Sequence, residues 1–165
     1  MADFNPKAVL LIKFTEQELP DTAAFDSGDS ETNDFFRNDA FRDQERGLNT
    51  TTLIYYNGII AGFISLLCDA IPLNKEEENS QASLTVPAIK LRYGVDKNFK
   101  DYDLDSFIID YAKTVAFELW KSKVGVRFLT LDTDPSREEF FAGKGFVRNR
   151  TGSNGLVSMR LDIFA

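Results

Sequence analysis

The chain has 165 residues, 43% of them hydrophobic and 27% charged, a size and mix that suit one soluble globular domain. It carries a net charge of −7, a pI of about 4.7, no histidine and one cysteine, Cys68. That excludes an internal disulfide, any Ser–His or Cys–His nucleophile and the commonest zinc ligand. The acidic field leads to the expectation of no nucleic-acid partner and no attraction to an anionic membrane. "MADFNPK" has no charged segment leading into an apolar one, and no apolar run approaches the roughly eighteen residues of a membrane helix. The expectation is a cytoplasmic protein.

"AVLLIKF" (Ala8–Phe14) is predicted as a first strand. "TEQELPDTAAFDSGDSE" follows as an acidic loop with turn residues. From about Ser30 to Arg46 the pattern is helical, with Phe35, Phe36, Ala40 and Phe41 on one face and Gly47 as a stop. Thr51–Tyr56, Asn57–Gly58 and "IIAGFISLL" form a hairpin, since Asn–Gly suits the two positive-φ positions of a type I′ turn. Cys68, in "GFISLLCDAI", is expected as a buried small hydrophobe. "IPLNKEEENSQASLTVP" is expected as a long solvated loop, its Glu76–Glu77–Glu78 run included.

"AIKLRYGV" (Ala88–Val95) is the next strand, and "NFKDYDLDS" (Asn98–Ser106) leads into a helix. Strand, tight loop and helix start make a common anion-binding arrangement, because the first helical N–H groups have no partner within the helix. This loop, however, has no glycine and three aspartates, Asp101, Asp103 and Asp105. Acids there complement the helix dipole and accept from orphan N–H groups. The residues by themselves therefore read as local caps that occupy the donors a phosphate would need. Leu104, Phe107, Ile108, Tyr111, Ala112, Val115, Ala116, Leu119 and Trp120 then form an apolar stripe at helical spacing. "VRFLTLD" (Val126–Asp132) is a strand, "DPSREEFFAGKGF" (Asp134–Phe146) a short helix ended by Gly143 and Gly145, "RNRTGSNG" (Arg148–Gly155) a turn, and "GLVSMRLDIF" (Gly155–Phe164) a last strand. The order is strand, helix, three strands, helix, strand, helix, strand, which makes one mixed α/β domain over 1–165. Its β-α-β unit at 88–132 favours parallel pairing with a right-handed crossover.

Four strings in this order resemble the GNAT N-acetyltransferase superfamily, nearest the bacterial branch of toxin-type acetyltransferases paired with small DNA-binding antitoxins. They are "FDSGDSETNDFFRNDAFRDQERGLNTTTLIYYNGIIAGFISL", "VPAIKLRYGVDKNF", "SFIIDYAKTVA" and "EEFFAGKGF". The resemblance implies a central twisted mixed sheet flanked by helices, with two parallel strands splayed apart around acetyl-CoA. It implies that main-chain groups of Tyr93, Gly94 and Val95 pair with the pantetheine arm. The pyrophosphate would lie on the loop Lys100, Asp101, Tyr102, Asp103, Leu104, Asp105 and Ser106, and Asp134 stands where an asparagine often bonds pantetheine. An amine of a small molecule or peptide would attack the thioester, and a homodimer is expected by analogy.

Two departures from the family pattern bear on activity. Asp101, Asp103 and Asp105 replace loop glycines, and a carboxylate about 6 Å from a phosphate charge costs roughly 3 kcal/mol at an effective dielectric of about 20, much reduced by salt. Lys97 and Lys100 offset some of this. Phe141 takes the place of the tyrosine that protonates the departing thiolate. No catalytic residue is assigned: Tyr93 and Tyr102 are candidate acids without a family role, and Asp96 is a candidate base, although carboxylates at strand ends are mostly turn formers. Three functions stay open: a working acetyl-CoA-dependent N-acyltransferase, a catalytically degenerate GNAT fold acting as a binding or regulatory module, and a toxin that acetylates aminoacyl-tRNA. Asp39, Asp43, Glu45 and Arg46 lie where the family binds its acceptor, and acids there suit a cationic amine.

Overall fold

Seven strands form in the computed structural model, which describes residues 4–72, 85–151 and 153–165. They are β1 (Val9–Lys13), β2 (Thr50–Tyr56), β3 (Ile59–Pro72), β4 (Thr85–Val95), β5 (Phe128–Thr133), β6 (Val147–Thr151) and β7 (Val157–Asp162). One mixed sheet holds them in the order β1-β2-β3-β4-β5-β7-β6. The chain gathers into two compact units, Met1–Leu67 with Arg92–Asp110, and Cys68–Leu91 with Tyr111–Ala165. The acidic segment with Glu76–Glu77–Glu78 lies outside the described residues.

In the first unit β1 and β2 pair antiparallel from Val9↔Tyr56 to Lys13↔Thr52. The β2–β3 hairpin turns at Asn57 and Gly58, with φ of 50° and 80°, as the Asn–Gly pair predicts. The predicted 30–46 helix forms as α1 (Ser30–Asp34), a π-helical turn (Phe35–Asp39) and α2 (Ala40–Glu45), and Gly47 follows at φ 76°. Both consecutive phenylalanines of the π-turn, Phe35 and Phe36, are buried. They join Phe14, Phe25 and Phe63 in an aromatic core, where Phe36 stacks on Phe63 with centroids 4.5 Å apart and Phe25 meets Phe36 edge-on at 4.8 Å. Each such ring contributes about 2–3 kcal/mol by burial, with roughly 1 kcal/mol more from ring–ring geometry.

The stretch expected as a loop after β1 is largely a nine-residue 3₁₀ helix, Glu16–Ala24. Thr15 and Glu18 close a capping box at its start, so the signal lay in the Thr-x-x-Glu spacing of "TEQE".

In the second unit β4 and β5 run parallel, as expected of a β-α-β unit, and pair from Ala88↔Phe128 to Lys90↔Thr130. Beyond that point β5 keeps its antiparallel ladder with β7 as far as Thr133↔Val157. The connecting helix is α3 (Leu104–Ser122). Leu104, Ile108, Ala112 and Ala116 are fully buried, but Trp120, counted in the same stripe, is 45% exposed. Sixteen residues at 100° each leave Trp120 rotated by about 160° from Leu104, so a seam stepping by fours drifts off the buried face. Trp120 instead meets Phe164 edge-on at 4.6 Å and Phe117 at 5.3 Å.

Two further expectations are corrected in this unit. Arg148–Gly155 is not simply a turn: β6 occupies Val147–Thr151 and pairs antiparallel with β7, Val147↔Arg160 to Thr151↔Val157. "VRNRT" has one clearly apolar residue, so this edge strand lacks the alternation that reveals buried ones. Cys68 is exposed, because the stretch of β3 from Leu66 to Ala70 is only half covered. The last helix, α4 (Glu138–Gly143), is shorter than expected and follows a 3₁₀ turn, Pro135–Arg137.

The closest backbone approach lies in the first unit. A Cβ on Gly62 would stand 2.8 Å from the carbonyl oxygen of Gly94, and one on Gly94 would stand 2.7 Å from both the Phe63 ring and the Thr32 methyl. Gly94→Ala is expected to destabilise the protein by about 1–3 kcal/mol through overpacking, read as a lower midpoint in urea with an unchanged slope.

Candidate functional site

The end of β4 and the head of α3 lie in the first unit, joined by Asp96, a 3₁₀ turn (Lys97–Tyr102) and Asp103. The first three of the expected residues, Tyr93, Gly94 and Val95, end the strand. Tyr93 is half-buried and its hydroxyl donates to Asp105 at 2.6 Å. Gly94 and Val95 are buried.

Asp96 is 3% exposed. Its carboxylate accepts from the main-chain N–H of Asn98 at 2.9 Å and of Asp26 at 3.0 Å, and its own N–H donates to Ala61 O at 2.8 Å. It therefore caps the 3₁₀ turn and ties it to the neighbouring chain, the turn-forming role of its two readings. A carboxylate with both oxygens occupied by main-chain donors is poorly placed to take a proton from an incoming amine.

The turn is floored by aromatic rings. Phe99 and Tyr102 pack on Tyr56, with centroids 5.8 Å and 5.2 Å away. Lys100 and Asp101 are exposed. Asp103 has φ 53° and ψ 41°, the left-handed conformation that glycine adopts at little cost and aspartate tolerates better than most residues. The glycine at that family position is gone, yet the backbone conformation associated with glycine remains. Asp103 accepts from the Ser106 hydroxyl at 2.9 Å, while Leu104 is fully buried at the start of α3. Asp103 and Asp105 thus each accept a hydroxyl, from Ser106 and Tyr93, and Asp96 caps the 3₁₀ turn before them.

Sequence reasoning missed Asp26 and Asn33. Asp26 accepts from Gly28 N–H and from Asn33 Nδ2, each at 2.9 Å, and from Lys97 Nζ at 2.8 Å. Its main-chain oxygen accepts from Lys97 N–H at 2.8 Å. Asn33 also accepts from the Ser27 N–H at 2.8 Å. The Lys97 ammonium, then Asn33 and Gly28, hold the Asp26 carboxyl far below the usual carboxylate range, and Asp26 holds the Lys97 ammonium above its usual range. The string "FDSG" was the only available signal. Lys97, expected to offset the loop's negative charge, is committed to Asp26.

Two of the three acids expected to receive a cationic amine are engaged in ion pairs. Asp39 pairs with Arg42 at 2.7 Å, and Asp43 lies 3.8 Å from Arg46. Arg92, on β4, stands 3.8 Å over the Phe35 ring, where burial pulls its guanidinium down and Asp39, Glu31, Asp29 and Asp43 oppose that shift.

Two expected positions belong to the second unit. Asp134 accepts from Ser136 N–H at 2.9 Å and caps the turn before α4, which keeps its carboxyl below the usual range. Phe141 is 3% exposed, edge-on to Phe140 at 5.1 Å and to Phe146 at 5.8 Å, the packed ring its sequence reading described. Among the described residues no group of three or more His, Cys, Asp or Glu could hold a metal, and no helix is long and apolar enough to cross a membrane.

No family model matches the chain, and no curated protein matches it in sequence. Solved structures do match in shape. A bacterial toxin superposes with a TM-score of 0.79 at 19% identity, covering 94% of this chain and 91% of that one. AtaTR bound with AcCoA gives 0.76 at 16% identity over 93% and 94%, and AtaT complexed with acetyl-methionyl-tRNAfMet gives 0.77 at 15% over 91% and 93%. The chain shares the fold of these solved structures, which is the mixed sheet flanked by helices that the sequence resemblance implied. The expectation of no nucleic-acid partner is corrected by these neighbours, which are seen with tRNA, with DNA as the KacTA–DNA complex, and with the C-terminus of the antitoxin AtaR. A pI sums charge over the whole surface, whereas phosphate contacts are local.

The Asp26–Lys97 pair sets a pH window for the loop. Asp26 has its folded pKa below the ordinary 3.8, so its contribution is complete above about pH 4 and is lost as pH falls through the folded value. Lys97 has its folded pKa above the ordinary 10.5, so its contribution is complete below that pH and is lost as pH rises through the folded value. Amide exchange over Lys97–Tyr102, corrected for intrinsic rates, is expected to stay flat from about pH 5 to 9 and to quicken outside that range.

Proposed function

We propose that this protein is an acetyl-CoA-dependent N-acetyltransferase, with one acetyltransferase domain spanning 1–165. The observation that carries the reading is the strand–loop–helix at Tyr93–Ser106, in a chain whose fold matches acetyltransferase structures over more than nine-tenths of its length. The left-handed backbone at Asp103 supports the fit, since the glycine-type path of the loop survives the loss of glycine. The three carboxylates oppose the fit by charge alone, and exposure and salt weaken that opposition.

Bound acetyl-CoA would supply an activated acyl thioester. The chain's contribution is placement. Main-chain groups of Tyr93, Gly94 and Val95 would hold the pantetheine amides, as an added strand is held. Lys100, Asp101, Tyr102, Asp103, Leu104, Asp105 and Ser106 would border the pyrophosphate, with Lys100 as the available cation. Asp134 would accept one pantetheine N–H. An amine held beside the thioester would form a C–N bond to the acyl carbon as the C–S bond broke with its electron pair on sulfur, and the amine's surplus proton would pass to water. Phe141 gives no proton, so the thiolate takes its proton from water or another donor. Aminoacyl-tRNA stands first among amine acceptors, because AtaT is seen with an acetylated aminoacyl-tRNA. Small-molecule and peptide amines follow.

The burial of Phe141 among rings favours a second reading, a catalytically degenerate fold that serves as a binding or regulatory module. Isothermal titration separates the two. Saturable micromolar binding of acetyl-CoA is expected, and no binding at millimolar ligand would move the protein to the second reading. Asp103→Gly removes a like charge and relieves the left-handed aspartate, so it is expected to bind acetyl-CoA about tenfold more tightly, equivalent to about 1.4 kcal/mol. Its stability is expected to stay within about 1 kcal/mol of wild type, because the added backbone entropy of glycine offsets the relieved strain.

A further inference from the structure

We infer that Asp26, in the Phe25–Gly28 turn, is a positioning residue that holds the loop at the head of α3 and so sets its affinity for the diphosphate of acetyl-CoA. The inference rests on the acetyltransferase reading above. The segment Lys97–Tyr102 is a 3₁₀ turn, whose internal hydrogen bonds are poorer than those of an α-helix, so its position depends on outside ties. Beside the packing of Phe99 and Tyr102 on Tyr56, its polar ties converge on Asp26. The Lys97 ammonium and main-chain N–H both bond it, at 2.8 Å each, and the Asp26 N–H reaches back to the Asp96 carboxylate that caps the same turn. The partners Asp26 and Lys97 lie 71 positions apart in sequence. Asn33 and Gly28 fill the other oxygen of the Asp26 carboxylate, which fixes its direction from α1 and from the turn itself. The turn also borders Lys100: a Cβ on Gly28, which has φ 85°, would stand 3.8 Å from Lys100 Nζ. Lys100 is thus brought beside the clamped turn while Lys97 is consumed in clamping it.

Position and charge predict opposite results for Asp26→Asn. That variant removes one negative charge and frees Lys97, so electrostatics alone would tighten binding of an anionic ligand. If Asp26 acts by position, binding weakens. Titration of acetyl-CoA into Asp26→Asn is expected to show affinity about fivefold lower than wild type. Amide exchange over Lys97–Tyr102 in the ligand-free protein should quicken locally, with the thermal midpoint nearly unchanged. Lys97→Met should weaken binding as well, and the double variant should be no worse than the poorer single one, because both act through one ion pair. Unchanged or tighter binding by Asp26→Asn, or unchanged exchange over the turn, overturns the inference while leaving the acetyltransferase reading intact. Absence of binding by wild type overturns the reading, and the affinity role of Asp26 with it.

Discussion

An ionisable group with almost no access to water organises the end of β4. Asp96 is 3% exposed, and its carboxylate oxygens take one main-chain N–H from Asn98, two residues on, and one from Asp26, 70 positions away. A buried carboxylate without such donors would be costly. With them, the reach of the strand, the start of the 3₁₀ turn and the Phe25–Gly28 segment are fixed to one another. The neighbouring tie from Asp26 to Lys97 is more exposed and weaker in isolation, but it acts on a segment already brought close, so little ordering entropy opposes it.

The loop separates two properties that one residue usually supplies together. Glycine at a phosphate-binding turn offers left-handed backbone and an uncharged surface. Here Asp103 retains the first and reverses the second. Tyr93 and Ser106 donate hydroxyl hydrogens to Asp105 and Asp103, so those carboxylates are turned toward the protein's own groups. The neighbours solved with AcCoA and with acetyl-methionyl-tRNAfMet have this fold at 15–16% identity, so the shared fold leaves the loop side chains free to differ.

The architecture was largely legible in the sequence. Asn57–Gly58, the apolar run of β4 and the seam Leu104–Ile108–Ala112–Ala116 each carry a local signal strong enough to survive tertiary context. Burial along β3 was not legible, because Cys68 lies in an apolar string whose far half is only partly covered. Nor was β6, a polar edge strand held by its ladder to β7 and by the Arg148–Glu138 ion pair at 2.6 Å. The site was half legible. Resemblance brought Tyr93–Val95 and Lys100–Ser106 into view, and the structure does set them on one continuous strand, turn and helix. Asp26 and Asn33 escaped because their partners are 71 and 7 positions away, and hydrogen bonds across such separations leave no periodicity to read.

The outward drift of Trp120 has an optical consequence. It is the chain's sole indole, and it sits against Phe117 and Phe164 at the far end of α3. Tyr56, Tyr93 and Tyr102 cluster instead around the loop at the other end of the same helix. Emission excited at the red edge therefore reports the C-terminal tail alone, because phenols do not absorb there.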